Sequence, residues 1–438
     1  MARSLPEWLA LQEAVHPKSI DLGLTRVGEV ARRLGIERPK SAVVTVGGTN
    51  GKGSTVAHLE ALWLAAGRSV GLFTSPHFLR YNERIRIDGV EAEDAAIVAA
   101  FERIEAARGD TTLTFFEYNT LAALLLFAER DVELALLEVG LGGRLDATNL
   151  VDSDVAVICS VGFDHRDWLG ETLEQIGAEK AGIVRRGRPA ILGSASMPES
   201  VYSTITSRRA QAIVAEQDFT WKVESGSDGQ PRWTYGGILL SLSDLPPSAL
   251  AGSIQYRNAA TALAALEALA MDGERSGAAA DILAALDTRT VAAALGRVRL
   301  PGRFQIVPGP VEWILDIAHN PPAAKVLADQ LEERPCQGRT LGVVGILGDK
   351  DAWAIARALA PALDGWFLCS LRGPRGISAT ELARRIEPVV RDPILADSVL
   401  AGCEAARAAA RPGDRVVVCG SVHTVGPALE WLGVYSSR

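Results

Sequence analysis

The chain has 438 residues, of which 48% are hydrophobic and 22% charged, and it carries a formal net charge of −8. These proportions exclude a disordered chain, and the acidic balance argues against a protein that binds nucleic acid through its phosphates. The apolar runs are too short to cross a bilayer and the five cysteines include no C-x-x-C pair, so we expect a cytoplasmic protein that contacts no membrane and holds no zinc.

The stretch VVTVGGTNGKGST at residues 43–55 is the first strong signal along the chain. It predicts a buried strand, a glycine-rich turn and a helix start, an arrangement that presents unpaired amides to a polyphosphate. Lys52 adds a mobile positive charge for the outer phosphates. Val46 and Gly53 break the strict P-loop spelling, and a turn that binds nothing is the alternative. The candidate nucleotide-binding residues are Gly48, Thr49, Asn50, Gly51, Lys52, Gly53, Ser54 and Thr55.

Apolar runs and helical stretches alternate from this turn to residue 215. Nearly continuous apolar runs separated by helices predict a parallel sheet that is covered on both faces. The further predicted strands lie at residues 69–74, 133–140, 155–162, 189–193 and 211–215, and the predicted helices at 56–66, 93–107 and 118–130.

The pattern changes after Asp218. Three alternating runs with polar turns predict a small antiparallel meander, and helices are predicted at residues 258–271 and 278–294. A proline-glycine break at 297–303 marks the predicted boundary between a domain at 1–296 and a smaller domain at 297–438. Five apolar runs in the domain at 297–438 predict a second open α/β sheet, so the predicted fold class is α/β.

Polar side chains follow the carboxyl ends of several predicted strands, where open parallel sheets bind ligands. Ser75, Glu138 and His165 each stand at such an end. A hydroxyl, a carboxylate and an imidazole together suit a magnesium ion beside a nucleotide. Taken singly, the alternatives are a turn cap, an ion pair and a hydrogen-bonded turn residue.

A second glycine-rich stretch, GLGGRLDATN, occupies residues 140–149 directly after Glu138. Its Arg144 is a candidate contact for phosphate or a substrate carboxylate, with an ordinary surface turn as the alternative. Lys180 lies in a predicted helix among small and apolar residues, where a lysine usually pairs with an acid such as Glu179.

The second domain repeats the pattern of polar residues at a strand end. Asp316 ends a predicted strand and can accept hydrogen bonds from ribose hydroxyls, and Arg303 is a candidate phosphate contact. His319 follows closely, although the prolines after it also indicate a turn.

The motifs in this order resemble those of folylpolyglutamate synthase and bifunctional dihydrofolate synthase of the bacterial type, members of the Mur ligase superfamily. The resemblance spans nearly the whole chain. Its motifs here are IDLGL, GTNGKGST, TSPH, ERI, TFFEYNT, LEVGLGGRLDATN, FDH, EKAGI, LPGR, DIAHNPPA, GDKD and a late GS-x-x-x-VG. The resemblance implies a P-loop-type ATPase domain and a Rossmann-like domain that close over a cleft.

The resemblance also implies roles for single residues. Lys52 would bind the γ-phosphate, Lys180 would be carbamylated, and His319 would line the cleft. Magnesium would be held by Ser75, Glu138 and His165, and the nucleotide by Asn258, Arg303 and Asp316. Phe115 and Phe116 would line the pterin pocket, with a core role for at least one ring as the alternative, and Arg144 and Asp146 are further candidate substrate residues. Ligands beyond ATP and magnesium would be a monovalent cation, L-glutamate, and dihydropteroate or a reduced folate. We expect a monomer.

Two positions depart from the family pattern. Ile317 stands where the family has a glycine, and because a β-branched residue resists positive φ we expect the local backbone to differ. His423 stands where the family often has a tyrosine, which weakens any assignment of that loop to glutamate.

The implied reaction is ATP-driven amide formation through an acyl phosphate, with His319 as a candidate base. Magnesium, Lys52 and the helix N-terminus would supply positive charge that offsets the repulsion between a carboxylate and a triphosphate. We predict that both folate ligase activities are present. The alternatives are folylpolyglutamate synthase alone, another Mur-type amide ligase, and a module that binds partners under the control of ATP. A peptidoglycan Mur ligase is disfavoured because only 46 residues precede Gly47.

Overall fold

The computed structural model describes residues 3–15, 21–271 and 276–435. These residues form two units, one with the residues up to 249 and residues 256–298, the other with residues 250–255 and 299 onward. The domain limits given above remain our proposal. In the described part, no helix combines the length and apolarity needed to span a bilayer.

An eight-stranded sheet forms the centre of the first unit, with six neighbouring parallel strands in the order β2-β5-β1-β6-β7-β8. The valines and leucines of its central strands are buried on both faces, as predicted for a parallel sheet under helices. Its strands are β1 (Ala42–Gly47), β2 (Val70–Phe73), β3 (Ile85–Ile87), β4 (Val90–Glu91), β5 (Leu134–Glu138), β6 (Val155–Ile158), β7 (Pro189–Leu192) and β8 (Gln211–Val214).

Helices cover this sheet and fix the position of the glycine-rich turn. Helix α3 begins at Lys52 and is buried on nearly every side, with Leu59 and Trp63 in one core with strands and later helices. The helices are α1 (Leu5–Val15), α2 (Thr25–Leu34), α3 (Lys52–Ala65), α4 (Asp94–Arg108), α5 (Phe115–Glu129), α6 (Arg166–Leu169), α7 (Leu173–Ala181), α8 (Glu199–Ser207), α9 (Ile254–Met271), α10 (Ser276–Ala285) and α11 (Thr288–Arg297).

Two features of the first unit differ from the sequence prediction. Strands β3 and β4 extend the sheet as an antiparallel hairpin that was not predicted, because strands of three and two residues are too short to show an alternating pattern. The single helix predicted at 278–294 is wrong. Two helices stand there, and Asp287 caps the second by accepting from the Thr290 amide at 2.7 Å.

The predicted antiparallel meander is confirmed as a three-stranded sheet of β9 (Thr220–Ser225), β10 (Pro231–Gly236) and β11 (Ser241–Leu245). Glu267 of α9 anchors it. Its buried carboxylate accepts hydrogen bonds from the Tyr235 hydroxyl at 2.8 Å and from the Leu239 amide at 2.8 Å.

The second unit is a smaller α/β sheet of six strands, in the order β12-β13-β17-β14-β15-β16, with only β12 antiparallel. The fold class predicted from the sequence is therefore confirmed. The strands are β12 (Gln305–Val307), β13 (Glu312–Asp316), β14 (Thr340–Val344), β15 (Gly365–Cys369), β16 (Ile394–Ala396) and β17 (Arg415–Cys419). The helices are α12 (Pro321–Glu333), α13 (Ala352–Leu359), α14 (Ala379–Ile386), α15 (Val399–Ala409) and α16 (Val422–Trp431).

Candidate active site

The glycine-rich turn runs from the end of β1 to the start of α3. Gly48 has φ +144° and Gly51, the N-cap of α3, has φ +90°, values that L side chains rarely adopt. A Cβ on Gly48 would also lie 3.1 Å from the backbone nitrogen of Ser160. Because the first amides of a helix have no acceptor within it, the turn presents N–H groups at the positive end of the α3 dipole.

Ser160, just beyond β6, holds this turn in place. Its hydroxyl donates to the Asn50 carbonyl at 2.9 Å and accepts from the Asn50 amide at 3.0 Å, and its carbonyl accepts from the Thr49 amide at 2.8 Å. Asn258 of α9 is buried, and its Oδ1 would lie 3.1 Å from a Cβ on Gly51. Asn258 therefore lies beside the turn, as its predicted nucleotide role requires.

Lys52 lies over the same turn. Its ammonium donates to the Gly48 carbonyl at 3.0 Å and to the Thr49 carbonyl at 3.4 Å. A positive charge is thus held at the start of α3, in reach of any phosphate that the helix amides bind.

His58 anchors α3 nearly two turns beyond Lys52. Its ring is fully buried, with Nδ1 2.7 Å from the Ser54 carbonyl and Nε2 2.9 Å from the Ser248 hydroxyl. Nδ1 must carry the proton, because a carbonyl only accepts, so Nε2 accepts from Ser248. Burial lowers the pKa of His58 from 6.5 to about 4, against the raising effect of the Ser54 carbonyl.

We expect this histidine to make stability depend on pH. The unfolded chain binds a proton at His58 between pH 6.5 and about 4 and the folded chain does not, so stability falls as pH falls through this window. The loss at pH 4.5 should be about 2–3 kcal/mol. This loss is measured by urea unfolding of the wild type and of His58→Gln, with tryptophan fluorescence as the signal, at pH 7 and at pH 4.5. An equal loss on acidification in both proteins would contradict the assignment.

Two of the three predicted metal ligands meet at neighbouring strand ends. Glu138, at the end of β5, is 3% exposed. Its carboxylate accepts from the Thr74 hydroxyl and, at 3.3 Å, from the Ser75 amide, both of which follow β2. β2 and β5 are adjacent and parallel, which is why residues 64 positions apart come together.

His165, the third predicted ligand, follows β6 in a left-handed conformation with φ 52°. The structure shows Asp164 as its neighbour: the carboxylate accepts from the His165 amide at 2.9 Å and lies 3.8 Å from Nε2. Within the described ranges, no group of three His, Cys, Asp or Glu side chains is arranged to hold a metal ion. The predicted set contains only two such residues and depends on the hydroxyl of Ser75.

Asp146 organises the second glycine-rich loop, at residues 140–149. Its buried carboxylate accepts from the amides of Gly140 at 3.1 Å and Leu141 at 2.9 Å, and from the Thr148 amide and hydroxyl at 3.0 and 2.7 Å. Burial raises the pKa of Asp146, although these bonds oppose the shift. Its direct contact with substrate stays a prediction.

The same loop packs tightly on the end of α7. Arg144 donates to the Glu179 carboxylate at 3.0 and 2.8 Å, while its own side chain is 53% exposed. A Cβ on Gly143 would lie 2.9 Å from the Lys180 carbonyl, and a Cβ on Gly182 would lie 2.3 Å from the Arg144 Cβ. The backbone around Lys180 therefore has no room to shift toward this loop.

Lys180 is buried, and its ammonium forms no hydrogen bond or salt bridge with the described residues. The pairing with Glu179 that we considered is wrong, because Glu179 pairs with Arg144. Burial lowers the pKa of Lys180 to about 7, and the positive charge of Lys52 acts in the same direction against Asp164, Cys159 and Asp146. These side chains come from α7, the start of α3, the segment after β6 and the second glycine-rich loop, and they therefore share one electrostatic neighbourhood.

Phe115 and Phe116 open α5, which Thr114 and Glu117 begin with a reciprocal cap. Both rings are partly buried. The Phe116 ring packs on Phe73 at 5.6 Å and covers Gly140, where a Cβ would lie 2.6 Å away. The Phe115 ring lies under the Arg84 guanidinium at 5.4 Å, and Arg84 Nε donates to His77 Nδ1 at 2.7 Å.

In the second unit, Asp316 closes a turn at the end of β13. Its carboxylate accepts from the amides of Phe304 and Ala318, each at 2.8 Å. Burial raises the pKa of Asp316, and Arg303 is the first of the groups that oppose the shift. Ile317 does not adopt positive φ, so its β-branched side chain is accommodated without that strain. His319 Nδ1 lies 3.0 Å from the Ile317 carbonyl.

Sequence reasoning assigned no role to four side chains of the first unit: Thr74, Arg84, Asp164 and Arg257. Thr74 and Asp164 are each adjacent to a predicted ligand, which was the available signal. Arg257 precedes Asn258 on α9, and its guanidinium has no hydrogen bond or salt bridge with the described residues although burial lowers its pKa. A lone arginine in an alanine-rich helix carried no such signal.

Family models match most of the chain. The Mur ligase middle domain matches residues 46–266, and the glutamate ligase domain of Mur ligases matches residues 302–422.

Relatives match it over nearly its whole length. The dihydrofolate synthase/folylpolyglutamate synthase of Escherichia coli K12 is 42% identical over 98% of this chain and 96% of its own. That of Haemophilus influenzae is 39% identical over 96% of each chain. Among solved structures, E. coli FolC in complex with DHPP and ADP has a TM-score of 0.90 at 41% identity, over 99% of this chain and 98% of that one. A bifunctional folylpolyglutamate synthase/dihydrofolate synthase with Mn, AMPPNP and L-glutamate bound has a TM-score of 0.88 at 40% identity, over 98% of both chains.

Proposed function

The chain belongs to the Mur ligase family, and within it we propose that the chain is the bifunctional enzyme that adds L-glutamate to dihydropteroate and to reduced folates. The first addition gives dihydrofolate and the later ones give folylpolyglutamates. The observation that carries this proposal is the 42% identity, over 98% of the chain, to a relative that bears both names. The chain is an ATP-dependent ligase of glutamate to folates.

The proposed reaction has two steps. A carboxylate oxygen of the pterin substrate takes the γ-phosphoryl group of ATP, which gives an acyl phosphate and ADP. The glutamate amine then attacks the acyl carbon, the amide bond forms, and inorganic phosphate leaves. The first step activates a poor electrophile, and its difficulty is the approach of one anion to another.

In our proposal, the glycine-rich turn lowers the repulsion between the two anions. The amides of Lys52, Gly53 and Ser54 at the start of α3 bind phosphate oxygens, and the Lys52 ammonium neutralises the γ-phosphate. The positive φ values of Gly48 and Gly51 support this role, because glycine adopts them readily and the tight turn that they form leads directly into the first amides of α3. Asn258, beside Gly51, contributes a polar contact to the nucleotide.

The residues at the neighbouring strand ends fit a divalent metal ion. Glu138 is a buried carboxylate whose described partners are the Thr74 hydroxyl and the Ser75 amide, and Ser75 adds a hydroxyl oxygen. Oxygen donors of this kind suit magnesium. We propose that Ser75, Glu138 and His165 hold Mg²⁺, which supplies positive charge to the phosphate oxygens when bound. Asp164 orients His165.

We further propose that Lys180 is carbamylated. A neutral amine reacts with CO₂ to give a carbamate and a proton, and a pKa of about 7 leaves about half of Lys180 neutral at neutral pH. The product is an anion that can serve a second cation. A monovalent cation in the same region stays a prediction.

The pterin substrate is assigned to the neighbouring aromatic cluster. Phe116 lies over the second glycine-rich loop and Phe115 lies beside Arg84, so an aromatic ligand there meets rings and a guanidinium. Arg144 and Asp146 remain the proposed polar residues of this region. Arg303, Asp316 and His319, in the second unit, remain proposed contacts for nucleotide and glutamate, and the cytoplasmic location and monomeric state remain predictions.

One assay tests the proposal. Purified protein receives ATP, Mg²⁺ and labelled glutamate with either dihydropteroate or tetrahydrofolate in separate reactions. We expect label in a pterin product in both, and none when ATP or the acceptor is omitted. Incorporation with one acceptor alone would refute the bifunctional assignment, and incorporation with neither would refute the ligase assignment for folates.

A further inference from the structure

An arginine-lined cavity of about 850 Å³ opens in the first unit, and the proposed reaction does not use it. It lies at the edge of the sheet where the strands begin. Val43 is the second residue of β1, Asp154 directly precedes β6 and Arg188 directly precedes β7. The glycine-rich turn and Glu138 stand at the opposite ends of β1 and β5. A strand of six residues spans roughly 17 Å, so the cavity is separate from the candidate active site.

The lining of this cavity is strongly basic in a chain with a net charge of −8. Six arginines face three acidic residues, which leaves a formal charge of +3, and no lysine takes part. The arginines are Arg32, Arg38, Arg185, Arg186, Arg188 and Arg208. Like charges gathered in one concave surface repel each other and raise the local positive potential.

Structural roles account for part of this charge. Arg185 pairs with Asp152 and donates to the carbonyls of Asn149 and Val151 at 3.0 and 3.1 Å. Arg32 lies 3.4 Å from Glu37. The Asp154 carboxylate accepts from the Val43 amide at 2.8 Å and so starts β1. All three acids of the lining are therefore engaged.

Arg188 is also engaged within the folded chain. Three arginines of the lining remain: Arg38, Arg186 and Arg208. Their side chains form no hydrogen bond or salt bridge with the described residues, and they come from three separate segments that the cavity brings together. A guanidinium presents a planar fork of N–H donors that matches phosphate oxygens, which lysine does not. The volume lies within the range of pockets for small ligands.

We propose that this cavity binds a small anion with several phosphate groups, such as an inorganic polyphosphate or a nucleotide. The three arginines without partners supply the contacts, and the anion relieves their mutual repulsion. The site is distinct from the phosphate-binding turn, so both sites can be filled in one molecule.

Calorimetric titration of the full chain with inorganic tripolyphosphate tests the proposal. We expect two classes of sites in the wild type and one, that of the cavity, in Lys52→Ala. In the Lys52→Ala background, Arg186→Ala with Arg208→Ala should weaken the remaining site at least tenfold. Arg130→Ala, which removes another exposed arginine without a described partner, should leave it unchanged.

Each outcome of this titration either supports or overturns the proposed site. Loss of binding in the double variant with an unchanged thermal midpoint supports the site, and so does the same loss in Arg38→Ala if the double variant unfolds. No binding to Lys52→Ala, or equal binding with and without the arginines, would overturn it. Repeating the titration with ATP shows the source of the anion: tighter binding than tripolyphosphate indicates a nucleotide, and equal or weaker binding indicates a polyphosphate.

Discussion

Lys52→Ala should reduce ligase kcat/KM by on the order of 10²–10³-fold with either acceptor. The ammonium of Lys52 is held at the start of α3, where it neutralises charge that collects on the γ-phosphate. Removing it leaves the helix amides to stabilise that charge alone. The measurement is ADP release that depends on both acceptor and glutamate, at several ATP concentrations.

Two further variants serve as controls for this result. Lys52→Arg keeps the charge but changes its geometry and should retain part of the activity. Lys222→Ala removes an exposed lysine on β9 and should match the wild type. Since Lys52 also donates to the Gly48 carbonyl, the thermal midpoint of each variant is needed to exclude a distorted turn. Near-full activity of a folded Lys52→Ala protein would contradict the phosphate role.

Lys180→Ala should cost on the order of 10²-fold in activity, because it would remove an anionic ligand once the lysine is carbamylated. Activity of the wild type should rise with added bicarbonate and from pH 6 to pH 8, since only the neutral amine reacts with CO₂ and its fraction grows as pH passes the pKa of about 7. An ordinary lysine would be neutral in roughly one molecule in a few thousand at pH 7. Carbon NMR with labelled bicarbonate detects the carbamate directly.

The charge of the replacement decides between the two readings of Lys180. Lys180→Glu supplies a carboxylate and should exceed Lys180→Arg, which keeps the positive charge, and short carboxylic acids should restore part of the activity of Lys180→Ala. If Lys180→Arg is the more active and no carbamate signal appears, the residue acts as a cation and our proposal for it is wrong.

The architecture was largely predictable because a parallel sheet buries both faces of its strands. The central strands therefore appear as nearly continuous apolar runs, and β1, β5 and β6 were located from their Val, Leu, Ile and Ala residues. The β3-β4 hairpin carries no such pattern, since Arg86 alternates with only two isoleucines. The division between α10 and α11 depends on one capping carboxylate, that of Asp287. The helical spacing of the alanines does not reveal this cap.

For the candidate site, chain order predicted which strand ends meet but not which atoms are engaged. Ser75 and Glu138 were expected together and lie together, because β2 and β5 are parallel neighbours. The roles of Glu179 and Asp146 depend on partners that only the folded chain selects. Electrostatic coupling between Lys52 and Lys180, 128 positions apart, likewise requires the fold.

The hydrogen bonds to Asp146 have a consequence for turnover. Because they form as the chain folds, the loop at residues 140–149 already has its shape before a pterin or a glutamate arrives. The conformational entropy of these residues is lost once, during folding, and not again in each round of addition. In our proposal this loop borders the pterin site, so an enzyme that lengthens the same tail repeatedly exchanges one product for the next substrate without unfolding and refolding the loop.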